Sequence, residues 1–176
     1  MGNVNKQLTH RQRQALATQQ IILEAARALF LEQGYGATTI ESISDRAGVA
    51  VSTVYSIYKN KRGILAAIRE AWHQESGQRE IYQAALSETN PQRRIELFAR
   101  ATRRQWETSA SMISIYNGAA AIDPEAAAEL REALAGRRAN LSHFIGETST
   151  MLRPGMTAER AAAVYLALTH NEVYLE

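Results

Sequence analysis

The sequence predicts an all-α protein with an amino-terminal three-helix domain and a carboxyl-terminal helical bundle. Long stretches are rich in Ala, Leu, Glu, Arg and Gln, which are strong helix formers. Only three prolines and ten glycines interrupt the 176 residues. No stretch shows the alternation of β-branched and polar residues that is typical of a strand.

The first two helices are predicted from apolar residues at helical spacing and from the residues that flank them. The first helix is expected from about residue 18 to residue 33. Gly34 is expected to end it, because glycine readily adopts the left-handed conformation found after helices. The second helix is expected to open at Thr38-Thr39, and Thr38 forms a capping-box pattern with Glu41. Residues 1–17 are expected to be an amino-terminal basic arm.

The third and fourth helices follow after short connections. Gly48-Val49-Ala50 separates the second helix from a third one at about residues 51–58. Asn60 is a good N-cap residue and predicts a fourth helix that ends near Ser76.

The second half predicts longer helices. We expect two helices between residues 91 and 120, a long one after residue 123, and one more after residue 157. A last start signal at Asn171-Glu172 is followed by only four residues, so we expect the sequence to lack a final helix. The start and stop signals are Asn90-Pro91, Asp123-Pro124, Arg153-Pro154-Gly155 and Thr157.

Composition excludes several classes of protein. The chain has no cysteine, so disulfides, thiolate metal sites and cysteine nucleophiles are ruled out. The four histidines show no metal-binding spacing, and no glycine-rich phosphate loop is present. We therefore expect no enzyme activity, no cofactor and no metal. The longest apolar run has eight residues and the amino terminus is polar, so we expect a cytoplasmic protein with no membrane partner.

Charge is divided unevenly along the chain. Residues 1–62 hold eight Lys and Arg against four acidic residues, a net charge of +4. Residues 63–176 hold twelve basic and fourteen acidic residues, a net charge of −2. A basic front end favours a polyanionic partner for the first third, although random scatter on a surface would also produce this difference.

The second and third helices have the spacing of a DNA-binding helix-turn-helix. Ala47 and Gly48 supply the small residue and the turn glycine, and Val49 supplies a buried aliphatic. Val54 and Tyr58 are the apolar positions that would hold the third helix against the domain. The remaining face would then meet base edges in the major groove. Its residues are Val51, Ser52, Thr53, Tyr55, Ser56 and Ile57.

Residues 18 to about 68 resemble the DNA-binding domain of the tetracycline-repressor (TetR) family. The resemblance rests on the segment Gly34-Tyr35-Gly36-Ala37-Thr38-Thr39-Ile40, on Ala47-Gly48-Val49, and on Val54, Tyr55, Tyr58, Lys61 and Leu65. It implies a homodimeric bacterial repressor that releases a palindromic double-stranded DNA operator when a small-molecule effector binds. It places phosphate contacts on Thr39, Tyr55 and Lys61, and base contacts on Val51, Ser52, Thr53 and Ser56, with Ile57 adjacent.

The chain departs from the family pattern in ways that affect DNA recognition. Ala50 stands where many members have a capping serine, and Glu41 stands where many have a basic residue; we expect Glu41 to serve the Thr38 cap. The third helix offers no Arg, Lys, Asn or Gln for bidentate base contacts. Our hypothesis is that Val51 and Ile57 touch thymine methyl groups, while the hydroxyl side chains make single hydrogen bonds. DNA shape and minor-groove contacts of Arg11 and Arg13 would supply the rest, although the arm could equally have no DNA role.

The second half supplies candidates for an effector pocket and for a dimer interface. A mostly apolar cavity with a few polar groups is typical of small-molecule sites, although core packing explains most of these residues as well. Ala158, Ala161 and Ala162 would allow close helix approach and mark the last helix as an interface candidate. The effector candidates are Thr102, Trp106, Met112, Tyr116, Asn117, Arg137 and Phe144.

The domain division follows from these assignments. We expect an arm at residues 1–17, a helix-turn-helix domain at residues 18–62, and an effector-binding and dimerisation domain at residues 63–176. Two other functions stay open at this point. A transcriptional activator would share the fold, and an effector-independent DNA-binding protein would share the helix-turn-helix.

Overall fold

The computed structural model describes residues 9–169, apart from the side chain of Gln78, and this part of the chain is helical without any strand. The all-α prediction is confirmed. A short 3-10 helix, Ser149–Met151, follows the seventh α-helix. The α-helices are α1 His10–Ala37, α2 Ile40–Ala47, α3 Val51–Tyr58, α4 Lys61–Ser76, α5 Gln78–Ser87, α6 Pro91–Ala120, α7 Pro124–Glu147 and α8 Ala158–Leu168.

The chain divides into two compact units, residues 1–68 and residues 69–176. The division falls inside α4, whereas the sequence predicted a boundary after residue 62. We call residues 1–68 the first unit and residues 69–176 the second unit.

Helix α1 begins eight residues before the predicted start at Thr18, so that expectation was wrong. Thr9 caps the helix by accepting a hydrogen bond from the Gln12 amide, and the Gln12 side chain accepts one from the Thr9 amide at 2.8 Å. This reciprocal box satisfies two donors at the helix start. Residues 10–17 of the expected arm are therefore helical and exposed, and residues 1–8 lie outside the described part.

The connection from α1 to α2 confirms the role of Gly34 and corrects the cap. Gly34 has φ 85° and interrupts the helical backbone, as its position predicted. The predicted Thr38–Glu41 box was wrong, because Thr39 caps α2 and pairs reciprocally with Ser42. The Thr38 hydroxyl instead donates to the Gly34 carbonyl at 2.9 Å, which closes the turn.

The predicted bounds of α3 and α4 are confirmed. Asn60 caps α4 by accepting a hydrogen bond from the Gly63 amide at 2.9 Å. Ala50 precedes α3 without any side-chain cap, as expected. Lys59 joins the two helices with φ 68°, a left-handed conformation that costs energy for a residue with a side chain. The Asn60 amide donates to the Tyr58 carbonyl at 2.8 Å and stabilises this tight turn.

The first unit is held together by aliphatic residues from all four of its helices. Each is removed from water, and burial of such side chains is the main stabilising contribution in a small domain. The core holds α2 and α3 against α1 and leaves the opposite face of α3 open to solvent. Its largest fully buried side chains include Ile22, Ile43, Val54, Ile64, Leu65 and Ile68.

The second unit differs from the sequence prediction in three elements. The two helices expected between residues 91 and 120 are one 30-residue helix, α6. Helix α5 was not predicted, and α7 ends at Glu147 rather than near residue 153. The starts at Asn90, Asp123 and Thr157 are confirmed, because each of these side chains accepts amide hydrogen bonds at its helix amino terminus.

The core of the second unit lies between α5, α6, α7 and α8. Ala85, Leu141, Phe144 and Ala162 are buried at its centre, and residues of α6 and α8 pack around them. Ala162, predicted to face a partner subunit, thus belongs to the core of its own chain. Ala158 and Ala161 also pack against this core, so the small side chains of α8 allow close approach within the unit.

Candidate functional site

Helix α3 has one buried face and one open face. Val54 is 0% exposed and Tyr58 is half-buried, so these two residues attach the helix to the domain as predicted. The Tyr58 hydroxyl donates to the Gln19 carbonyl of α1 at 3.1 Å. Burial raises the pKa of Tyr58, so it stays a neutral donor at ordinary pH.

The other residues of α3 form the open face, which we call the α3 face. Tyr55 is 46% exposed, and Ser52 and Ser56 are exposed as well. Val51, Thr53 and Ile57 are half-buried at its edges. Among the described residues, the hydroxyl groups of the α3 face make no side-chain hydrogen bond, so they are available to an external partner.

The turn before α3 has the backbone that a helix-turn-helix requires. Gly48 lies in the left-handed region with φ 65°, where a side chain is disfavoured. Its amide donates toward the carbonyls of Ser44 and Asp45, and the Val49 amide donates to Ser44 at 3.1 Å. These bonds satisfy carbonyls at the end of α2 and set the angle at which α3 leaves. Val49 is half-buried, somewhat less enclosed than predicted.

An ion pair fixes α2 to α1 at the surface. The two terminal guanidinium nitrogens of Arg46 donate hydrogen bonds to the two carboxylate oxygens of Glu32. The hydrogen bond from Arg46 is the largest cause that lowers the pKa of Glu32. The positive charge of Arg46 is therefore compensated by Glu32 within the domain. Exposed ion pairs of this kind contribute little to stability.

The two phosphate candidates outside α3 have different environments. Thr39 is exposed, and its oxygen accepts the Ser42 amide as a cap, which leaves its hydroxyl hydrogen to donate elsewhere. Lys61 is half-buried at the first position of α4, and its ammonium donates to the carbonyls of Tyr35 at 2.7 Å and Thr38 at 2.9 Å. It also lies 4.2 Å from the centroid of the Tyr35 ring.

These contacts of Lys61 were missed from the sequence. They satisfy carbonyls at the carboxyl end of α1, where the helix dipole favours a cation. The partners lie 26 and 23 residues away along the chain, and no local signal reveals them.

Four of the seven effector candidates lie in one region of the second unit. The Arg137 guanidinium lies 4.8 Å from the centroid of the Trp106 ring. The hydroxyl groups of Thr102 and Tyr165 form a short hydrogen bond. Phe144 is joined to this group through Phe98, whose ring stacks on Phe144 at 3.9 Å and lies 5.6 Å from Tyr165. We call Thr102, Trp106, Arg137, Phe144 and Tyr165 the Arg137 cluster.

The other three candidates have different surroundings. Tyr116 is buried near Arg69, and burial raises the pKa of its hydroxyl to about 12. Met112 is half-buried and Asn117 is exposed. The sequence analysis missed Thr169, whose carbonyl and hydroxyl oxygens accept hydrogen bonds from Arg137 at 3.4 and 3.3 Å.

Two further searches of residues 9–169 bear on function. No group of three or more His, Asp or Glu residues is placed to hold a metal ion in this part of the chain. No helix there is both long enough and apolar enough to cross a membrane.

The left-handed turn and the open α3 face define a helix-turn-helix of the DNA-binding class. Residues 22–68 match the family model described as bacterial regulatory proteins, tetR family. Residues 22–68 are therefore similar to the tetR family, as the sequence resemblance predicted.

Individual relatives agree with this assignment. An uncharacterized HTH-type transcriptional regulator, YvkB of Bacillus subtilis, is 39% identical over 51 residues, which cover 29% of this chain and 27% of that protein. A probable acrEF/envCD operon repressor of Escherichia coli is 34% identical over 74 residues, 42% of this chain and 32% of that protein. The chain thus matches about a third of the length of these curated relatives.

Similarity of fold extends over both units. The structure of a SmeT–triclosan complex has a TM-score of 0.73 and 24% identity, with 90% of this chain and 79% of that one covered. At this identity the similarity shows the all-α fold of such regulators and nothing about the ligand.

Proposed function

We propose that the protein is a transcriptional repressor that binds a palindromic DNA operator through α3 and releases it when a small-molecule effector binds. The observation that carries this proposal is the α3 face. Val54 is fully buried behind it, while Ser52, Tyr55 and Ser56 are exposed. The match of residues 22–68 to the tetR family model supports the same function. Duplex DNA as the partner would place the protein in the cytoplasm.

The α3 face would read DNA with single hydrogen bonds and methyl contacts. Ser52, Thr53 and Ser56 can each donate to or accept from a base edge, and Val51 and Ile57 can touch thymine methyl groups. Thr39, Tyr55 and Lys61 would contact phosphates and set the register of the helix. Because a single hydrogen bond discriminates less than a bidentate pair, DNA shape would carry a large share of the specificity.

A homodimer would place two copies of α3 about one DNA turn apart, roughly 34 Å, on the two halves of a palindrome. The second unit offers apolar side chains for such an interface. Leu134 of α7 is 55% exposed, and Val164 and Leu168 of α8 are 47% and 63% exposed. Val164 and Leu168 lie one turn apart, on the side of α8 opposite the core residue Ala162.

Release by an effector follows from a shift between two populations. An effector that binds more tightly to a conformation with the wrong spacing of the two α3 helices would favour that conformation. Its influence is limited to the difference between its affinities for the two states.

The test is selection of bound sequences from a random pool of duplex DNA, repeated with candidate effectors. We expect an enriched palindrome, and we expect Ser52→Ala and Ser56→Ala to weaken binding to it about 3- to 10-fold, as the loss of one hydrogen bond would. Ser114→Ala, an exposed serine of α6, is the matched control and should leave affinity unchanged.

Three outcomes would count against the proposal. An unenriched pool, or α3 variants that bind as well as the control, would contradict DNA reading by α3. If binding of the protein to its operator raises transcription of a reporter gene, the protein is an activator. Binding that no candidate effector changes would favour an effector-independent DNA-binding protein.

A further inference from the structure

Arg137 is a cation on an otherwise apolar face of α7. The apolar positions Leu130, Leu134, Leu141 and Phe144 flank it at helical spacing. Its side chain is half-buried, and burial lowers its pKa, although an arginine stays protonated at any ordinary pH. A permanent charge is therefore held in a partly desolvated place.

The compensation that the protein provides for this charge is incomplete. Within residues 9–169, no carboxylate lies within ion-pair distance of Arg137. Among the described residues, Arg137 lies over the face of Trp106 and donates two hydrogen bonds to Thr169, both longer than 3.2 Å. Buried charges in proteins are ordinarily paired, because an unpaired charge is costly to desolvate. Both bonds to Thr169 use the same nitrogen, Nη2, so the rest of the guanidinium can serve a ligand.

The surroundings of Arg137 combine a flat apolar surface with hydroxyl groups. Trp106 and Tyr165 supply aromatic faces, and the Thr102–Tyr165 hydrogen bond supplies polar atoms. Ser109 lies one turn after Trp106 on α6, is 0% exposed, and its hydroxyl has no hydrogen-bond partner among the described residues. A buried hydroxyl without a partner needs a water or a ligand atom.

We propose that the Arg137 cluster binds a small monocarboxylate, whose anionic group pairs with the guanidinium and whose apolar part lies beside the aromatic side chains of the cluster. The role of this ligand as the effector rests on the proposed function. The binding itself does not depend on DNA. A guanidinium recognises a carboxylate with two parallel hydrogen bonds, and such charge-assisted bonds are strong where water is excluded.

Charge and shape favour a monocarboxylate over other ligands. A cationic ligand would be repelled by Arg137. A phosphate monoester carries nearly two negative charges, and the single charge of Arg137 would leave one of them uncompensated. A neutral ligand would leave the guanidinium without a counterion.

The experiment measures binding of four monocarboxylates and their neutral amides to the full chain by isothermal titration calorimetry without DNA. The acids are benzoate, 1-naphthoate, indole-3-acetate and decanoate. We expect at least one acid to bind about 10- to 100-fold more tightly than its amide, which is the range for charge-assisted hydrogen bonds. Quenching of tryptophan fluorescence should accompany its binding, because Trp106 lines the site.

Two variants and a control locate the bound carboxylate. Arg137→Gln should remove the preference for acid over amide, and Arg137→Lys, which keeps the charge but loses the planar fork, should reduce it. Arg138→Gln removes the same charge from an exposed neighbour on α7 and should keep the preference intact. If Arg137→Gln fails to fold, the lysine variant and the acid–amide comparison on the unchanged chain decide.

The inference is overturned if all four acids bind no more tightly than their amides, or if Arg138→Gln reduces the preference as much as Arg137→Gln. An acid that binds as expected without changing operator affinity supports this site and contradicts its role in the proposed function. Operator binding without carboxylate binding supports the DNA-binding part of the proposed function and contradicts this site. The two failures are therefore distinguishable.

Discussion

Replacement of Lys61 by methionine tests whether this residue stabilises the first unit as well as contacting DNA. Methionine keeps most of the apolar stem and removes the ammonium group. The change deletes the two hydrogen bonds to the carbonyls of Tyr35 and Thr38, at 2.7 and 2.9 Å, and the contact with the Tyr35 ring. Hydrogen bonds of charged groups contribute about 1.5–3 kcal/mol each.

Because Lys61 is only half-buried, we take the low end of this range for each of the two bonds and expect the free energy of unfolding to fall by about 3 kcal/mol. Urea-induced unfolding at 25 °C, followed by circular dichroism with the slope m compared between variants, measures this change. Lys59→Met is the matched control. Lys59 is exposed and its ammonium has one contact, with the Ser56 carbonyl at 3.2 Å, so a loss below about 0.5 kcal/mol is expected.

Two results would refute this reasoning. If Lys61→Met costs no more than Lys59→Met, the contacts with the α1 carbonyls are not stabilising. A phosphate contact by Lys61 predicts a second effect, since the dependence of operator affinity on salt concentration should fall by about one counterion per subunit. An unchanged salt dependence in a folded Lys61→Met protein would show that Lys61 serves the fold alone.

Three further predictions concern buried residues of the two units. Val54→Ala removes two methyl groups from a fully buried side chain and should lower the free energy of unfolding by about 2–3 kcal/mol, measured in urea; an unchanged midpoint would contradict the burial of α3. Tyr58→Phe deletes the hydrogen bond to Gln19 and should cost about 1 kcal/mol in the same assay, with no loss if the bond is absent in solution. Tyr116 has a pKa raised to about 12, so the folded state holds its proton more tightly than the unfolded state does. Its contribution is therefore present below about pH 10 and is lost between pH 10 and 12, by roughly 2–3 kcal/mol, and Tyr116→Phe should lack this part of the alkaline loss in a pH series of unfolding curves.

The helix-turn-helix was predictable because its determinants are close together in the chain. The turn glycine Gly48, the apolar pair Val54 and Tyr58, and the cap Asn60 all lie within 13 residues, so α3 and α4 have the predicted bounds. The predicted burial of Val54 and exposure of Tyr55 follow from the same helical spacing.

Errors arose where an element lacks an apolar pattern of its own. The first turns of α1 are exposed, so only the box between Thr9 and Gln12 marks their start. The prediction divided α6 into two helices, yet α6 continues through the polar stretch around Ser109. Ser109 is buried, and the Thr108 hydroxyl donates to the Arg104 carbonyl within the same helix. Tertiary packing keeps such a segment helical against its weak local preference.

The amino-acid order by itself determined the helical class, the reading helix and the position of Arg137 on an apolar face, since helical spacing and turn chemistry act over a few residues. Only the tertiary structure decided what the charged side chains meet. The carbonyls that hold Lys61 lie more than 20 residues before it, and the oxygens of Thr169 lie 32 residues beyond Arg137. Such partners are brought together by the packing of whole helices, which no short stretch of sequence encodes.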